Sequence, residues 1–185
     1  DDKSTESGMK YFLFGAVTSA IMLYGFSMIY GFTGETNLYL IADVVRTAGL
    51  SLFLIGGIAV LVLVGFSFKI AAVPFHFWTP DVYEGAPTPI TAYVSTASKA
   101  AGFAVLVRVM VIAFPAIDGF WAAVLAAMAV ATMTLGNVLA IAQSNIKRLL
   151  AYSSIAHARY ALIGLVALSV FGVASMMFYL LAYVV

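Results

Sequence analysis

The chain has 185 residues, of which 64% are hydrophobic and 9% are charged, and its mean hydropathy is +1.07. Soluble domains carry about 25% charged residues, so this composition excludes an ordinary water-facing surface and predicts a membrane protein. The net charge of +1 excludes a strongly basic surface for nucleic acid. The absence of cysteine excludes disulfides, thiolate metal sites and iron–sulfur ligation by this chain, and no glycine-rich nucleotide-binding pattern is present.

Apolar runs long enough to span a bilayer, about 20 residues each, dominate the sequence. They predict helices at about 11–32, 47–68, 90–114, 120–142 and 146–168, with a sixth beginning near 170. Thr5 is predicted to cap the first helix, and Glu6 stands four residues before Lys10 in a favourable order. The connection that contains Asn37 and Asp43 is predicted to be short and polar.

A proline-rich segment interrupts this pattern after the second helix. Pro74 is predicted to break or kink that helix just after Lys69, because proline removes a backbone donor. Residues 75–88 hold polar and aromatic side chains with two prolines, which predicts a loop or a re-entrant segment. Pro89 suits the first turn of the third helix. The predicted fold is all-α: a polytopic transmembrane bundle, a single domain over 1–185, with about five full helices and the start of a sixth.

The two ends of the chain and its basic residues carry further expectations. The sequence starts at Asp1 without Met or a signal-peptide pattern and stops at Val185 inside an apolar run, which predicts an internal piece of a longer membrane protein. Short loops rich in Lys and Arg face the cytoplasm. The predicted cytoplasmic side holds Lys3, Lys10, Lys147 and Arg148, and the opposite side holds Arg46 and Arg108.

Lys99 is the ionisable residue that the sequence places deepest in the bilayer. It lies ten residues into the third predicted helix, about 15 Å along the axis. A lysine at this depth costs roughly 2.5–3.5 kcal/mol on insertion scales, so it needs a reason to be there. One reading is a structural ion pair with a neighbouring helix. The other is a group that releases and regains a proton in a wet interior pathway.

Lys69, His76 and His157 are weaker candidates for the same chemistry. Lys69 lies at a helix end, where snorkelling is ordinary, but broken helices at membrane depth usually line cavities. His76 is either a relay that titrates near neutrality or a loop residue bonded to the backbone. His157 is either a hydrogen-bonded packing residue or a relay. Arg159 falls in mid-helix without a nearby acid in sequence, so its partner must come from another helix or another chain.

Two sequence blocks closely resemble a known family. Residues 68–89 read Phe-Lys-x-x-x-Val-Pro-Phe-His-x-Trp-Thr-Pro-Asp-Val-Tyr-Glu-Gly-Ala-Pro-Thr-Pro and are followed by Ser-Lys-Ala-Ala-Gly-Phe at 98–103. Residues 135–157 read Leu-Gly-Asn-Val-x-Ala-x-x-Gln-x-Asn-Ile-Lys-Arg-Leu-Leu-Ala-Tyr-Ser-Ser-Ile-Ala-His. Both blocks resemble the N-type (subunit 2) antiporter-like membrane subunits of respiratory complex I, in the proton-conducting membrane transporter family.

The resemblance implies roles for individual residues. Lys69 and Lys99 match the lysines that the family uses as protonation sites on a central hydrophilic axis, and His76 matches a histidine beside the helix break. The chain then corresponds to helices six to ten and the start of eleven. The family's upstream glutamate and downstream lysine would lie outside the sequence. Arg159 departs from the pattern, because the family has glycine after His-Ala.

The implied function is proton translocation within an NADH:quinone oxidoreductase, with protons passing along buried lysines and internal water. The chain itself binds no cofactor in this reading; NADH, flavin, iron–sulfur clusters and quinone belong to other subunits. Its partners are the lipid bilayer and other membrane subunits, including a neighbouring antiporter-like subunit. An energy-transducing membrane, the bacterial inner membrane, is the expected location. A cation/proton antiporter subunit and a structural membrane module are the alternatives.

Overall fold

A computed structural model describes residues 2–184, and this part of the chain is helical without strands. Asp1 and Val185, on which the expectation about the chain ends rests, lie outside the described residues. The helices are α1 (Asp2–Thr33), α2 (Leu38–Thr47), α3 (Leu52–Lys69), α4 (Trp78–Gly85), α5 (Thr88–Ser95), α6 (Ala97–Arg108), α7 (Asp118–Ile141), α8 (Ile146–Val166) and α9 (Val170–Val184).

Five helical segments of the described chain are long and apolar enough to cross a membrane. They are Asp2–Thr33, Leu52–Lys69, Thr88–Ala113, Pro115–Ile141 and Ile146–Val166, and the shorter apolar α9 follows them. The predicted polytopic helical bundle is therefore confirmed, and the protein is a multi-pass integral membrane protein.

The first connection differs from its prediction. Thr5 lies inside α1 and does not cap it, although the expected pair of Lys10 with Glu6 is present at 2.6 Å. The chain between α1 and α3 is not simply polar, because it forms the helix α2. Asn37 caps α2 by accepting a hydrogen bond from the Tyr39 amide. The apolar face of α2 is buried.

The predicted break after Lys69 is confirmed, and the backbone groups that it frees find partners. The Trp78 indole donates to the carbonyl of Phe68 at 3.1 Å, and the Val73 amide donates to Thr132 Oγ1 of α7 at 2.9 Å. The Val73–Pro74 peptide bond is cis. Buried irregular backbone is tolerated at such a break because each freed donor or acceptor is satisfied.

Of the two alternatives predicted for 75–88, the loop is wrong for most of its length, since α4 occupies residues 78–85, whereas a re-entrant segment is compatible with this short helix. The helix forms because Trp78, Val82 and Tyr83 lie on one face and are all buried against α1 and α8. Pro80 is accommodated in the first turn, where proline does not remove an intrahelical bond.

The third predicted helix, 90–114, is interrupted one turn before Lys99. Helix α5 ends at Ser95, and α6 begins at Ala97 and passes into a π-helical turn at Val109–Ala113. Thr96, between α5 and α6, returns its hydroxyl to the carbonyl of Ala92 at 2.8 Å. A threonine hydroxyl bonded one turn back is a common cause of helix bending.

Small residues bring neighbouring helices into backbone contact. A Cβ added at Gly164 of α8 would lie 2.5 Å from the carbonyl oxygen of Gly172 in α9, which places the two backbones in contact at their crossing. A Cβ at Gly136 of α7 would lie 2.8 Å from the Arg159 guanidinium. Such close approaches are typical of helix packing in membranes, where burial of apolar surface does not drive association.

Candidate proton-transfer site

Lys99 lies inside the bundle with its side chain enclosed by α4, α8 and α9. Its exposed fraction is 2%, and its ammonium donates to Ser154 Oγ at 2.6 Å and to the Ser154 carbonyl at 3.1 Å. Among the residues that the structure describes, no carboxylate pairs with it. Lys99 is therefore a buried cation that neutral oxygens stabilise.

Ser154 connects Lys99 to two tyrosines. Its hydroxyl lies 3.2 Å from the Tyr83 hydroxyl of α4 and 2.7 Å from the Tyr183 hydroxyl of α9. The Lys99 ammonium also stands over the Tyr83 ring, 5.8 Å from the ring centre. Because a hydroxyl both donates and accepts, Ser154 can accept from the ammonium form and, after rotation of its hydroxyl hydrogen, donate to the neutral amine.

Lys69 has a different environment from Lys99. In the described part of the chain its side chain is exposed, and its ammonium donates to the Tyr11 hydroxyl at 3.0 Å. The two lysines lie on adjacent helices, since a Cβ at Gly102, one turn after Lys99, would be 3.3 Å from Lys69 Cβ. Their ammonium groups bond to different helices, Lys69 to α1 and Lys99 to α8.

Aromatic rings separate the two ammonium groups. Tyr11, beside Lys69, packs on Trp78 with ring centres 5.0 Å apart, and Trp78 packs on Tyr83 at 6.4 Å. The Trp78 indole N–H is already used by the Phe68 carbonyl. Hydrogen bonds between described residues therefore do not connect Lys69 to Lys99, and transfer between the lysines requires water.

His76 lies beside the helix break and is buried, with 4% of its surface exposed. Its Nδ1 and the hydroxyl of Thr79, one turn later, are buried polar atoms without a hydrogen-bond partner among the described residues. Buried polar groups are nearly always satisfied, often by ordered water. An ordered water molecule would be a suitable hydrogen-bond partner for each of these two atoms. Of the two residues, the sequence identifies only the histidine.

His157 lies on the same helix as Ser154 and contacts α9. Its Nδ1 shares a short hydrogen bond with the Tyr179 hydroxyl, and its ring packs against Tyr183 with centres 5.0 Å apart. Tyr183 also bonds Ser154, so His157 adjoins the Lys99 cluster through this tyrosine. The packing and the relay readings of His157 both fit this arrangement.

Arg159 is fully buried, and its partners come from α7 and its own helix. The guanidinium donates to the carbonyl of Thr132, to Asn137 Oδ1 at 3.1 Å and to the carbonyl of Ala156 at 3.1 Å. The expectation that its partners come from another helix or another chain is confirmed for the two acceptors on α7 and wrong for Ala156, which lies on its own helix. Gly136 leaves the room that the guanidinium occupies. Arg159 makes no ion pair with any described residue.

A network of ion pairs joins three helices at the end of the bundle that carries α4. Asp81 binds Lys10 and Arg148, each at 2.7 Å, and Glu84 binds Arg148 at 3.1 Å and Lys3 at 3.3 Å. Burial alone would raise the pKa of Asp81, but hydrogen bonds from Lys10 and Arg148 outweigh it and lower that pKa. Hydrogen bonds from Arg148 and Lys3 lower the pKa of Glu84. Thus the basic residues that the sequence predicts on one side of the membrane lie together at one end of the bundle: Lys3, Lys10, Lys147 and Arg148.

We expect this network to lose its stabilising effect in acid. A carboxylate with a lowered folded-state pKa stabilises the fold above its ordinary pKa, about 4, and stops doing so as the pH falls through the lowered value. Asp81→Asn should therefore lower the free energy of unfolding of the detergent-solubilised full-length protein at neutral pH, by at most about 1 kcal/mol per lost pair, and its melting temperature with it. The difference from the unaltered protein should begin to shrink below about pH 4 and disappear once the pH is below the lowered pKa of Asp81. A difference that persists unchanged into acid would contradict this assignment.

The sequence alone did not identify Ser154, Tyr83 or Tyr183 as parts of the site. The signal available was the pair Ser153-Ser154 in the middle of an apolar span, because hydroxyls inside membrane helices commonly bond across helices. Which of the two serines faces Lys99 depends on the rotation of α8, which the apolar sequence around them does not fix.

The described architecture defines a class of protein. Spanning helices, one of them broken at a proline, surround an ionisable side chain inside the bundle, which is the arrangement of polytopic membrane proteins with ion pathways.

Comparison with known proteins gives the family within this class. The family model described as NADH:quinone oxidoreductase/Mrp antiporter, TM, matches residues 1–185, and the chain belongs to this family. NADH-quinone oxidoreductase subunit N of Moorella thermoacetica is 55% identical over 184 residues, covering 100% of this chain and 38% of that protein. The chain thus spans 38% of the length of this relative. The resemblance to N-type subunits is confirmed.

Solved structures agree with the fold. A chain of respiratory complex I from Thermus thermophilus with bound aureothin superposes with a TM-score of 0.82 at 43% identity, covering 100% of this chain and 38% of that chain. A chain of the Mrp complex from Dietzia sp. DQ12-45-1b gives a TM-score of 0.86 at 23% identity, over 97% of this chain and 33% of that chain, and this likeness concerns the fold alone.

Proposed function

We propose that this chain belongs to a proton-translocating membrane subunit of a proton-pumping NADH:quinone oxidoreductase. Lys99 takes up and releases the proton, Lys69 passes it along through internal water, and His76 and His157 are relay groups. NADH oxidation and quinone reduction take place in other subunits. Neighbouring antiporter-like and other membrane subunits are the partners, and the end that carries Lys10 and Arg148 faces the cytoplasm.

The observation that carries the proposal is the environment of Lys99. A lysine kept only for structure would be expected beside a carboxylate that holds it permanently charged. Lys99 instead donates to a hydroxyl and a carbonyl, neither of which carries a fixed negative charge. Both protonation states are thus within reach at this position, which a group that carries protons requires.

The same geometry explains how the protein part of the site acts. The ammonium is oriented by the Ser154 carbonyl and hydroxyl, which both accept from it. When the proton leaves, the Ser154 hydroxyl can turn to donate to the amine, while Tyr83 and Tyr183 supply or accept its other hydrogen bond. The aromatic rings on the Lys69 side exclude direct side-chain contact, so proton entry and exit depend on water.

Ser154→Ala tests this role of the hydroxyl. We expect proton pumping by the full complex to fall about tenfold, the effect of losing one charge-assisted hydrogen bond, while Ser154→Thr retains most of it. Ser153→Ala is the matched control, since its neighbour Ser154 makes the contacts with Lys99. Equal rates in Ser154→Ala and Ser153→Ala would contradict the role.

The alternative is a cation/proton antiporter subunit, and the description of the matching family, which also names the Mrp antiporter, supports it. The two functions are separated in vesicles that contain the full complex. We expect NADH-driven proton uptake that does not require Na⁺ and that falls in Lys69→Ala with assembly intact. Proton movement that needs Na⁺ and does not need NADH would identify an antiporter and overturn the proposal.

A further inference from the structure

Two carboxylates of α4, Asp81 and Glu84, each join it to α1 and α8 at the end of the bundle, and Asp81 makes the shorter contacts. Asp81 Oδ2 lies 2.7 Å from the Lys10 ammonium of α1, and its Oδ1 lies 2.7 Å from Nη1 of Arg148 in α8. Removing either cation leaves the carboxylate tied to one helix only. Asp81 thus makes the shortest of the ion pairs that hold these three helices together.

Other contacts show how closely α4 is held at this end. The Ser7 hydroxyl of α1 donates to the carbonyl of Asp81 at 3.0 Å, and a Cβ added at Gly85 would collide with the Ser7 side chain. Lys147 of α8 donates to the carbonyl of Glu84 at 3.4 Å. Helix α4 therefore has little freedom to shift while the ion pairs hold.

Helix α4 carries the tyrosine that touches the Lys99 cluster. Tyr83, two residues after Asp81, places its hydroxyl 3.2 Å from Ser154 Oγ and its ring 5.8 Å from the Lys99 ammonium. Ser154 lies six residues after Arg148 on α8, about 9 Å along the axis. Helices α4 and α8, which the pair of Asp81 with Arg148 joins, therefore also supply Tyr83 and Ser154 to the surroundings of Lys99.

We propose that Asp81 is a positioning residue for proton transfer at Lys99, acting by tying α4 to α1 and α8 so that Tyr83 stays against Ser154 and the ammonium. The inference rests on the proposed function, because it concerns the proton that Lys99 carries. A cation over an aromatic ring is stabilised, so loss of the Tyr83 ring makes Lys99 give up its proton at lower pH.

Charged and titratable groups face both residues from several helices. Those around Asp81 are Lys3, Glu6 and Lys10 of α1, Glu84 of α4, and Lys147 and Arg148 of α8. Those around Lys99 are Tyr83 of α4, His157 of α8 and Tyr183 of α9. Asp81 and Lys10 have opposite charges. Variants of the two residues therefore distinguish an effect of helix position from a direct electrostatic effect on Lys99.

A direct field acts with the sign of the charge that is removed. Asp81→Asn removes a negative charge and would make Lys99 lose its proton at lower pH, whereas Lys10→Gln removes a positive charge and would have the opposite effect. Positioning predicts the same direction for both variants, because either substitution removes a short ion pair and loosens the hold on α4, which keeps the longer contacts of Glu84. The direction of the Lys10→Gln effect therefore decides between the two.

The test measures proton pumping by the full complex in vesicles from about pH 6 to about pH 10, a range that covers the titration of a perturbed lysine. We expect Asp81→Asn and Lys10→Gln both to move the alkaline fall of the pumping rate to lower pH, by about half a unit. Asp81→Glu should restore the unaltered profile. Asp43→Asn is the control, because Asp43 pairs with Arg46 at 2.7 Å in α2, far from this network in the chain.

Opposite shifts in Asp81→Asn and Lys10→Gln, or rates that fall in both without any shift, would overturn the inference. If Asp81→Asn does not assemble, Tyr83→Leu replaces it and should give the same shift to lower pH; an unshifted profile there also overturns the inference. Lys99→Met, measured in parallel, distinguishes a failure of the proposed function from a failure of the role given to Asp81. Normal pumping in Lys99→Met would refute the proposed function, whereas lost pumping there with unshifted Asp81→Asn and Lys10→Gln profiles refutes only the role of Asp81.

Discussion

Lys99→Met should reduce proton pumping by the full complex at least tenfold, roughly the lower effect of removing a general acid–base group. Methionine fills a similar volume in the enclosed site but cannot carry a proton, and Ser154 keeps its bonds to Tyr83 and Tyr183. Assembly should survive, because replacing a buried charge with an apolar side chain is often neutral for stability. The measurement is proton uptake by vesicles together with the rate of NADH oxidation.

Lys99→Arg distinguishes proton transfer from a purely structural charge. Arginine keeps the positive charge but does not release its proton in proteins. We therefore expect Lys99→Arg to pump as poorly as Lys99→Met. Arg46→Met, which removes an exposed cation from α2, is the matched control and should pump normally. Full pumping in Lys99→Arg would favour the structural module over the proton carrier.

Asn137→Leu should destabilise the protein by about 1–3 kcal/mol, because it removes the acceptor of a buried guanidinium donor. Arg159→Met should instead be neutral or stabilising, since it removes the desolvated charge together with its need for partners. The double variant should then be more stable than Asn137→Leu alone. Opposite signs for the two single variants identify Arg159 as a buried charge that α7 must accommodate.

Thermal unfolding of the detergent-solubilised full-length protein measures these differences. Val138→Leu is the control for Asn137→Leu, because Val138 is the neighbouring, exposed position on the same helix. If Asn137→Leu and Val138→Leu have the same melting temperature, the contact between Asn137 and Arg159 contributes nothing. Destabilisation by Arg159→Met that is as large as that by Asn137→Leu would also contradict the account.

The sequence predicts the spanning helices well because their length and apolar character are local properties. It predicts the break after Lys69 for the same reason, since Pro74 acts on the helix that contains it. It does not predict α2 or α4, because each is short and is stabilised mainly by the face it buries against other helices. The polar residues of 75–88 resemble those of a loop, because their ionic partners on α1 and α8 are distant in the sequence.

The sequence predicts only part of the candidate site. It indicates properties that depend on neighbouring residues of the chain, but not contacts between residues that are distant in the chain. The depth of Lys99 follows from its position in a span, and its burial is as expected from that depth. Its partner Ser154 is 55 residues away along the chain, so only the fold, in which the Lys99 side chain reaches α8, brings the two together. Lys69 and Lys99 were expected on one axis, and the aromatic rings between them emerge only from the fold.

The central claim is that Lys99 changes its protonation state during turnover. Infrared difference spectroscopy of the full complex in vesicles, with lysine labelled by a heavy nitrogen isotope, measures this directly as NADH is added. We predict isotope-sensitive ammonium bands that change on energisation and are lost in Lys99→Arg. Unchanged lysine bands while the unaltered complex pumps protons would contradict the claim.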